Sequence, residues 1–91
     1  MTKKVLLAIA DGSEEIEAVT VFDLLKRAGA EVILASPEKG EVTLSHGLTV
    51  KCGTSLSEAA ESSFDLIVMP GGLPGTYNLR DCGALDKIIE R

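Results

Sequence analysis

The sequence predicts an α/β domain organised around a parallel sheet, and three observations predict it. Val5 to Ala10 is a continuous apolar run of strand length, which suits a strand covered on both faces. The run stops at Asp11-Gly12-Ser13 and gives way to a helical pattern. Ile16, Val19, Phe22, Leu25 and Ala28 recur every third residue, and Ala18, Val21 and Leu24 widen the same side. A second strand-like run, Glu31 to Ser36, closes at Pro37 and completes a strand-helix-strand unit, whose crossover is expected to be right-handed and whose strands are expected to be parallel. Ligands of open α/β sheets bind beyond the carboxyl ends of the strands, so the turn at 11–13 is the first place to look for chemistry.

The elements follow in order. The first helix is expected from Glu14 to Ala28, with Asp11, Gly12 and Ser13 supplying turn and cap chemistry. Glu14 and Glu15 suit the positive end of its dipole, Lys26 and Arg27 suit the other, and Gly29 ends it. Asp23 and Arg27 form an i,i+4 pair in the favourable orientation. Glu41 to Leu44 and Leu48 to Lys51 read as a hairpin around Ser45-His46-Gly47 that projects from the main sheet. Ser55-Leu56-Ser57-Glu58 is a capping box, opening a short helix expected to end near Ser62 or Ser63. Asp65 to Met69 is the third core strand, broken by Pro70-Gly71-Gly72. Thr76 to Arg91 reads as helix in two pieces, with Asp81 capping the second. That last helix stops without glycine, proline or polar tail, and three fully apolar strands make a poor complete sheet. The chain is therefore expected to be the first part of a larger α/β domain.

Composition limits the function classes. A chain of 91 residues holds at most one domain, and burying only roughly 60–65% of its unfolded surface makes it marginally stable. A net charge of −5 with no Lys/Arg cluster argues against nucleic acid or an anionic membrane as partner. The apolar run after Lys3-Lys4 is too short for a secretory signal or a membrane span, so a cytoplasmic protein is expected. The two cysteines and one histidine have no metal-ligand spacing, so no metal or other cofactor is expected.

Two stretches carry candidate chemistry. Glu17 reads most simply as a solvated helix carboxylate. One turn into the helix and flanked by Ile16 and Ala18, it could instead be partly buried, which would raise its pKa and let it donate a hydrogen bond to an oxyanion or thiolate. Pro70-Gly71-Gly72-Leu73-Pro74-Gly75 reads either as a tight turn or as a place where adjacent backbone amides are aimed at developing negative charge. Without Gly-x-Gly-x-x-Gly, dinucleotide binding is disfavoured. A phospho-acceptor receiver is disfavoured because Met69-Pro70 stands where an aspartate should. His46 reads as a solvated loop residue, Cys82 as a thiol near a helix start, and Cys52 as a thiol with no activating feature.

Three motifs, Gly12-Ser13-Glu14-Glu15-Ile16-Glu17-Ala18, Asp23 to Gly29, and Asp65 to Gly72, together resemble the ThiJ/PfpI superfamily. The Gly-x-Glu-Glu-x-Glu form resembles the branch named for the parkinsonism-associated protein. The resemblance runs the length of the chain. It implies a flavodoxin-like three-layer sandwich with a parallel central sheet, similar to class I glutamine amidotransferases and here represented by about half the domain. It also implies a homodimer when full length, with the first helix at the interface. Glu17 matches the glutamate that hydrogen-bonds a reactive cysteine, and Gly71 and Gly72 match glycines credited with oxyanion stabilisation. Arg27 matches a basic residue near the pocket at the dimer interface. His46 falls where close relatives usually have arginine, which puts anion contact there in question. The family's nucleophile, on an Ala-x-Cys-Ala-type elbow, would lie beyond Arg91, and neither Cys52 nor Cys82 inherits its role. Two functions follow as expectations. One is a cysteine-dependent deglycase, glyoxalase or redox-sensitive chaperone acting on reactive dicarbonyls or glycated substrates. The other is a catalytically silent or redox-responsive interaction module.

Overall fold

The computed structural model describes residues 3–38, 40–72 and 83. Apart from Gly83, the expected helices over Thr76–Arg91, with the Asp81 cap and Cys82, lie outside these residues. Four strands, β1 (Lys4–Ala8), β2 (Glu31–Ser36), β5 (Thr54–Ser55) and β6 (Leu66–Val68), form one parallel sheet in the order β5-β2-β1-β6. β3 (Gly40–Thr43) and β4 (Thr49–Cys52) form a separate antiparallel hairpin, with Glu41 opposite Lys51. The sheet thus has four described strands where three were expected. β5 was missed because two residues show no period, and Ser55 signals a helix start more strongly than a strand end.

β1 is buried along its length because it is central and covered twice. Leu6, Ala8 and Ala10 pack on one face with Ala35, Leu56 and Ala59. Leu7 and Ile9 pack on the other with Ala18 of α1 (Glu15–Arg27) and with Val42, Leu44 and Cys52 of the hairpin. α2 (Leu56–Ala59) therefore covers one face, and α1 with the hairpin covers the other. α2 is shorter than expected. Its capping box is formed, with Glu58 N–H donating to Ser55 Oγ at 3.1 Å and Ser55 N–H to Glu58 Oε1 at 3.3 Å, but Ala60 already caps its end.

α1 starts one residue later than expected, because Glu14 is the cap and its carboxylate accepts Ile16 N–H at 3.1 Å. Its end is a Schellman motif. Gly29, at φ +90°, donates to Lys26 O, and Ala30 N–H donates to Leu25 O. The predicted apolar side is only partly used: Ala18 is buried and Phe22 packs on the core, but Ile16 is 72% exposed and Leu24 60%. Positions three apart step back about 60° around a helix of 3.6 residues per turn, so such a series drifts off the core within a few steps.

Candidate functional site

The turn between β1 and α1 is fastened internally and on both sides. Ser13 is fully buried. Its Oγ accepts Ala10 N–H at 3.1 Å, and its own N–H donates to Ala10 O at 3.0 Å. Toward the hairpin, Gly12 N–H donates to Thr43 O, Ser45 N–H donates to Ser13 O, and Asp11 Oδ1 accepts Thr43 N–H. Toward β6, Gly71 is held at both ends of its peptide. Its carbonyl accepts Glu14 N–H at 2.9 Å, and its N–H donates to Glu17 Oε1 at 2.9 Å. Gly72 sits at φ +105° with its Cα against Gly12 O and Glu14 N, a conformation and an approach that exclude a side chain.

The structure thus brings Glu17, Gly71 and Gly72 together at the carboxyl ends of β1 and β6, with two differences from expectation. Glu17 is exposed in the described chain rather than partly buried, so the burial argument for it fails here. The Gly71 amide is engaged by Glu17, so it is not one of a pair of amides open to an oxyanion. No hydrogen bond among the described residues engages the Gly72 amide.

His46 is not simply solvated. Its ring is 75% exposed, yet Nδ1 lies 3.0 Å from Glu15 Oε1 and 3.7 Å from Glu14 Oε2. Glu15 gathers the whole hairpin tip. Oε1 meets Ser45 Oγ and His46 Nδ1, and Oε2 accepts His46 N–H at 2.6 Å and Leu48 N–H at 3.3 Å. Desolvation pushes the Glu15 carboxyl up, but the hydrogen bonds from His46, Ser45 and the backbone outweigh it and bring it down to about 2. The hydrogen bond to Glu15, with the charges of Glu15 and Glu14, raises His46 in turn. The helix dipole alone, to which both glutamates were ascribed, therefore understates their roles. The signal in sequence was Ser45-His46 at a hairpin tip, with nothing local to name the partner.

Glu14, Glu15 and His46 have donor atoms within 4.8 Å of one another, but both Glu15 oxygens are taken by hairpin donors, and we read the group as an ion-pair cluster. Arg27 is not brought to this site. It pairs with Asp23 at 3.0 Å at the other end of α1, about 15 Å along the axis from Glu17. Cys52, at the end of β4, is buried, and burial pushes its thiol up, against a lowering hydrogen bond from Ser36. A cavity of about 320 Å³ at the ends of β1 and β2 is lined by Asp11, Ser36, Glu38 and Glu41 with neighbouring apolar atoms. None of Glu17, Gly71 and Gly72 lines it. Among the described residues no helix is long and apolar enough to cross a membrane.

A parallel sheet between helices, with a helix-borne carboxylate hydrogen-bonded to a glycine turn past the next strand, defines a flavodoxin-like α/β protein with its site at the strand ends. The chain belongs to the DJ-1/PfpI family, whose model matches residues 3–91. It is 45% identical over 91 residues to the protein DJ-1 homolog B of Arabidopsis thaliana, covering 99% of this chain and 21% of that one. It is 39% identical over 69 residues to the deglycase TK1284 of Thermococcus kodakarensis, covering 76% of this chain and 42% of that protein. The oxidized DJ-1 of Toxoplasma gondii superposes with a TM-score of 0.94 at 43% identity, covering 98% of this chain and 49% of that one. The chain spans half or less of the relatives it matches here.

Proposed function

We propose that these 91 residues supply the supporting half of a cysteine-dependent active site that acts on reactive dicarbonyls or their protein adducts. The deglycase named among the relatives supports this reading, and one observation carries it: Glu17 and Gly71 are hydrogen-bonded at 2.9 Å across 54 residues of sequence. The bond commits Oε1 as an acceptor and leaves Oε2 available to a neighbouring group. In this reading the nucleophilic cysteine lies outside these residues. Its thiolate attacks the carbonyl carbon, the carbonyl π pair moves to oxygen, and the Gly72 amide stabilises that oxyanion. Glu17 favours the thiolate by hydrogen bonding, and it positions the glycine turn through Gly71.

The test is thiol reactivity and glyoxal consumption by the whole protein carrying Glu17→Gln or Glu17→Leu. Glutamine keeps an acceptor for Gly71 and, through its amide N–H, a donor for the thiolate, whereas leucine loses both. Leucine should cut thiolate reactivity near neutral pH at least about tenfold, the effect of one unit in the thiol pKa, and glutamine should cut it less. Unchanged reactivity and turnover in both variants would remove Glu17 from the mechanism. The second reading, that these 91 residues are by themselves a catalytically silent interaction module, predicts no dicarbonyl consumption by this chain alone.

A further inference from the structure

The hairpin tip is held by two kinds of contact. Its flank is fixed by backbone bonds to the β1–α1 turn, Gly12 to Thr43 and Ser45 to Ser13, which are insensitive to pH in the neutral range. Its apex, residues 45–48, is held by the Glu15 carboxylate, and the His46 imidazole is the one group there that changes charge near neutrality. With three quarters of the ring in solvent, packing does not hold it in place. We propose that His46 is a pH-responsive latch, its imidazolium fastening the β3–β4 hairpin tip to the first turn of α1.

The charges around the ring support this. α1 presents Glu15 at 3.0 Å and Glu14 at 3.7 Å, both negative. Asp11, in the preceding turn, is directed instead to Thr43 N–H. On the hairpin, Glu41 and Lys51 are register partners at the far end of the ladder. An imidazolium donates Nδ1–H to Glu15 under the attraction of these carboxylates. A neutral ring either keeps a weaker uncharged bond or, as the other tautomer, turns a lone pair toward the carboxylate. Glu15 keeps its backbone donors in either state, so the tip slackens rather than detaches.

The sign follows from the two shifts. His46 is raised, so its contribution is complete below the ordinary histidine value of 6.5 and is lost as pH rises through the higher folded value. Glu15 is lowered from 4.5 to about 2, so its contribution is complete above 4.5 and is lost as pH falls toward 2. The latch is therefore strongest from about pH 4.5 to about pH 6.5. It loosens as pH rises above that window, through the raised folded value of His46. The first turn it grips also carries the Glu14 amide and the Glu17 carboxylate that hold Gly71, so its state bears on the glycine turn. This inference does not depend on the reading of the site as an enzyme's.

The test combines an NMR titration of the His46 ring with amide exchange of residues 46 and 48, in the purified protein and in the His46→Gln and Glu15→Gln variants. The ring resonance is assigned by its loss in His46→Gln, and exchange is corrected for the intrinsic effect of pH. His46 should titrate above its ordinary value, and Glu15→Gln should bring it down. The two amides should exchange roughly two- to fivefold faster at about pH 8 than at about pH 5.5, the scale of an exposed ion pair. In His46→Gln that difference should vanish. A His46 titration unmoved by Glu15→Gln, or a pH dependence of tip exchange that persists in His46→Gln, would overturn the proposal.

Discussion

A methyl group on Gly72 would lie 2.8 Å from both Glu14 N and Gly12 O, and the residue's φ of +105° already disfavours any side chain. The neighbouring atoms are backbone held by hydrogen bonds, so neither side can yield cheaply. Gly72→Ala should therefore destabilise the protein by about 2 kcal/mol or more, from backbone strain plus overpacking. Gly53 has open space around its Cα and no positive φ, so Gly53→Ala should be neutral or stabilise by up to about 1 kcal/mol. Denaturant unfolding of the two variants separates them, and equal effects would mean that the glycine turn does not pack on the β1–α1 turn. Ser13 makes the same point with a polar atom. Its buried Oγ satisfies Ala10 N–H, and Ser13→Ala should cost about 1–3 kcal/mol by stranding that donor. Sequence marked Gly72 and Ser13 as turn residues, but the atoms each meets come from the fold.

At the scale of elements, the local signals were legible and their long-range partners were not. β2 was readable to the residue, and the Asp23–Arg27 pair, the capping box and the glycine stop of α1 all form as the spacing predicts. Each depends on residues within four positions of one another. Ser55→Ala should cost about 1 kcal/mol by opening the capping box, whereas Arg27→Ala, at an exposed pair, should cost no more than about 0.5 kcal/mol. Thermal unfolding of the two variants checks the order. The use made of Glu15 was not legible. Its role rests on partners 30 to 33 residues away, and an acidic residue in a first turn has a sufficient local explanation in the dipole.

At the scale of the molecule, the two faces of the sheet carry separate cores, and β1, β2 and β6 each send alternate side chains to both. Leu6 points to the α2 face and Leu7 to the face under α1 and the hairpin, and both are fully buried. Leu6→Ala and Leu7→Ala should each cost about 2–5 kcal/mol. In the double variant the costs should add to within about 0.5 kcal/mol, because the side chains share no neighbours across the sheet. A larger coupling, measured in the whole protein so that both variants stay folded, would mean that the layers are not independent. β6 pairs only with β1 among the described strands, and Leu66 and Met69 stand half-exposed on or beside it.

The alternation of strand and helix, the parallel sheet, the position of the turn at the strand ends and the family are all legible in the order of residues. These rest on periodicity, caps and turn residues, which act within a few positions along the chain. It took the folded chain to bring Glu17 to the Gly71 amide, to bind His46 to Glu15, and to divide the apolar residues of α1 between core and surface. Those outcomes depend on which distant backbone donors reach a carboxylate and on how far a helix turns between one contact and the next. No local pattern carries that information.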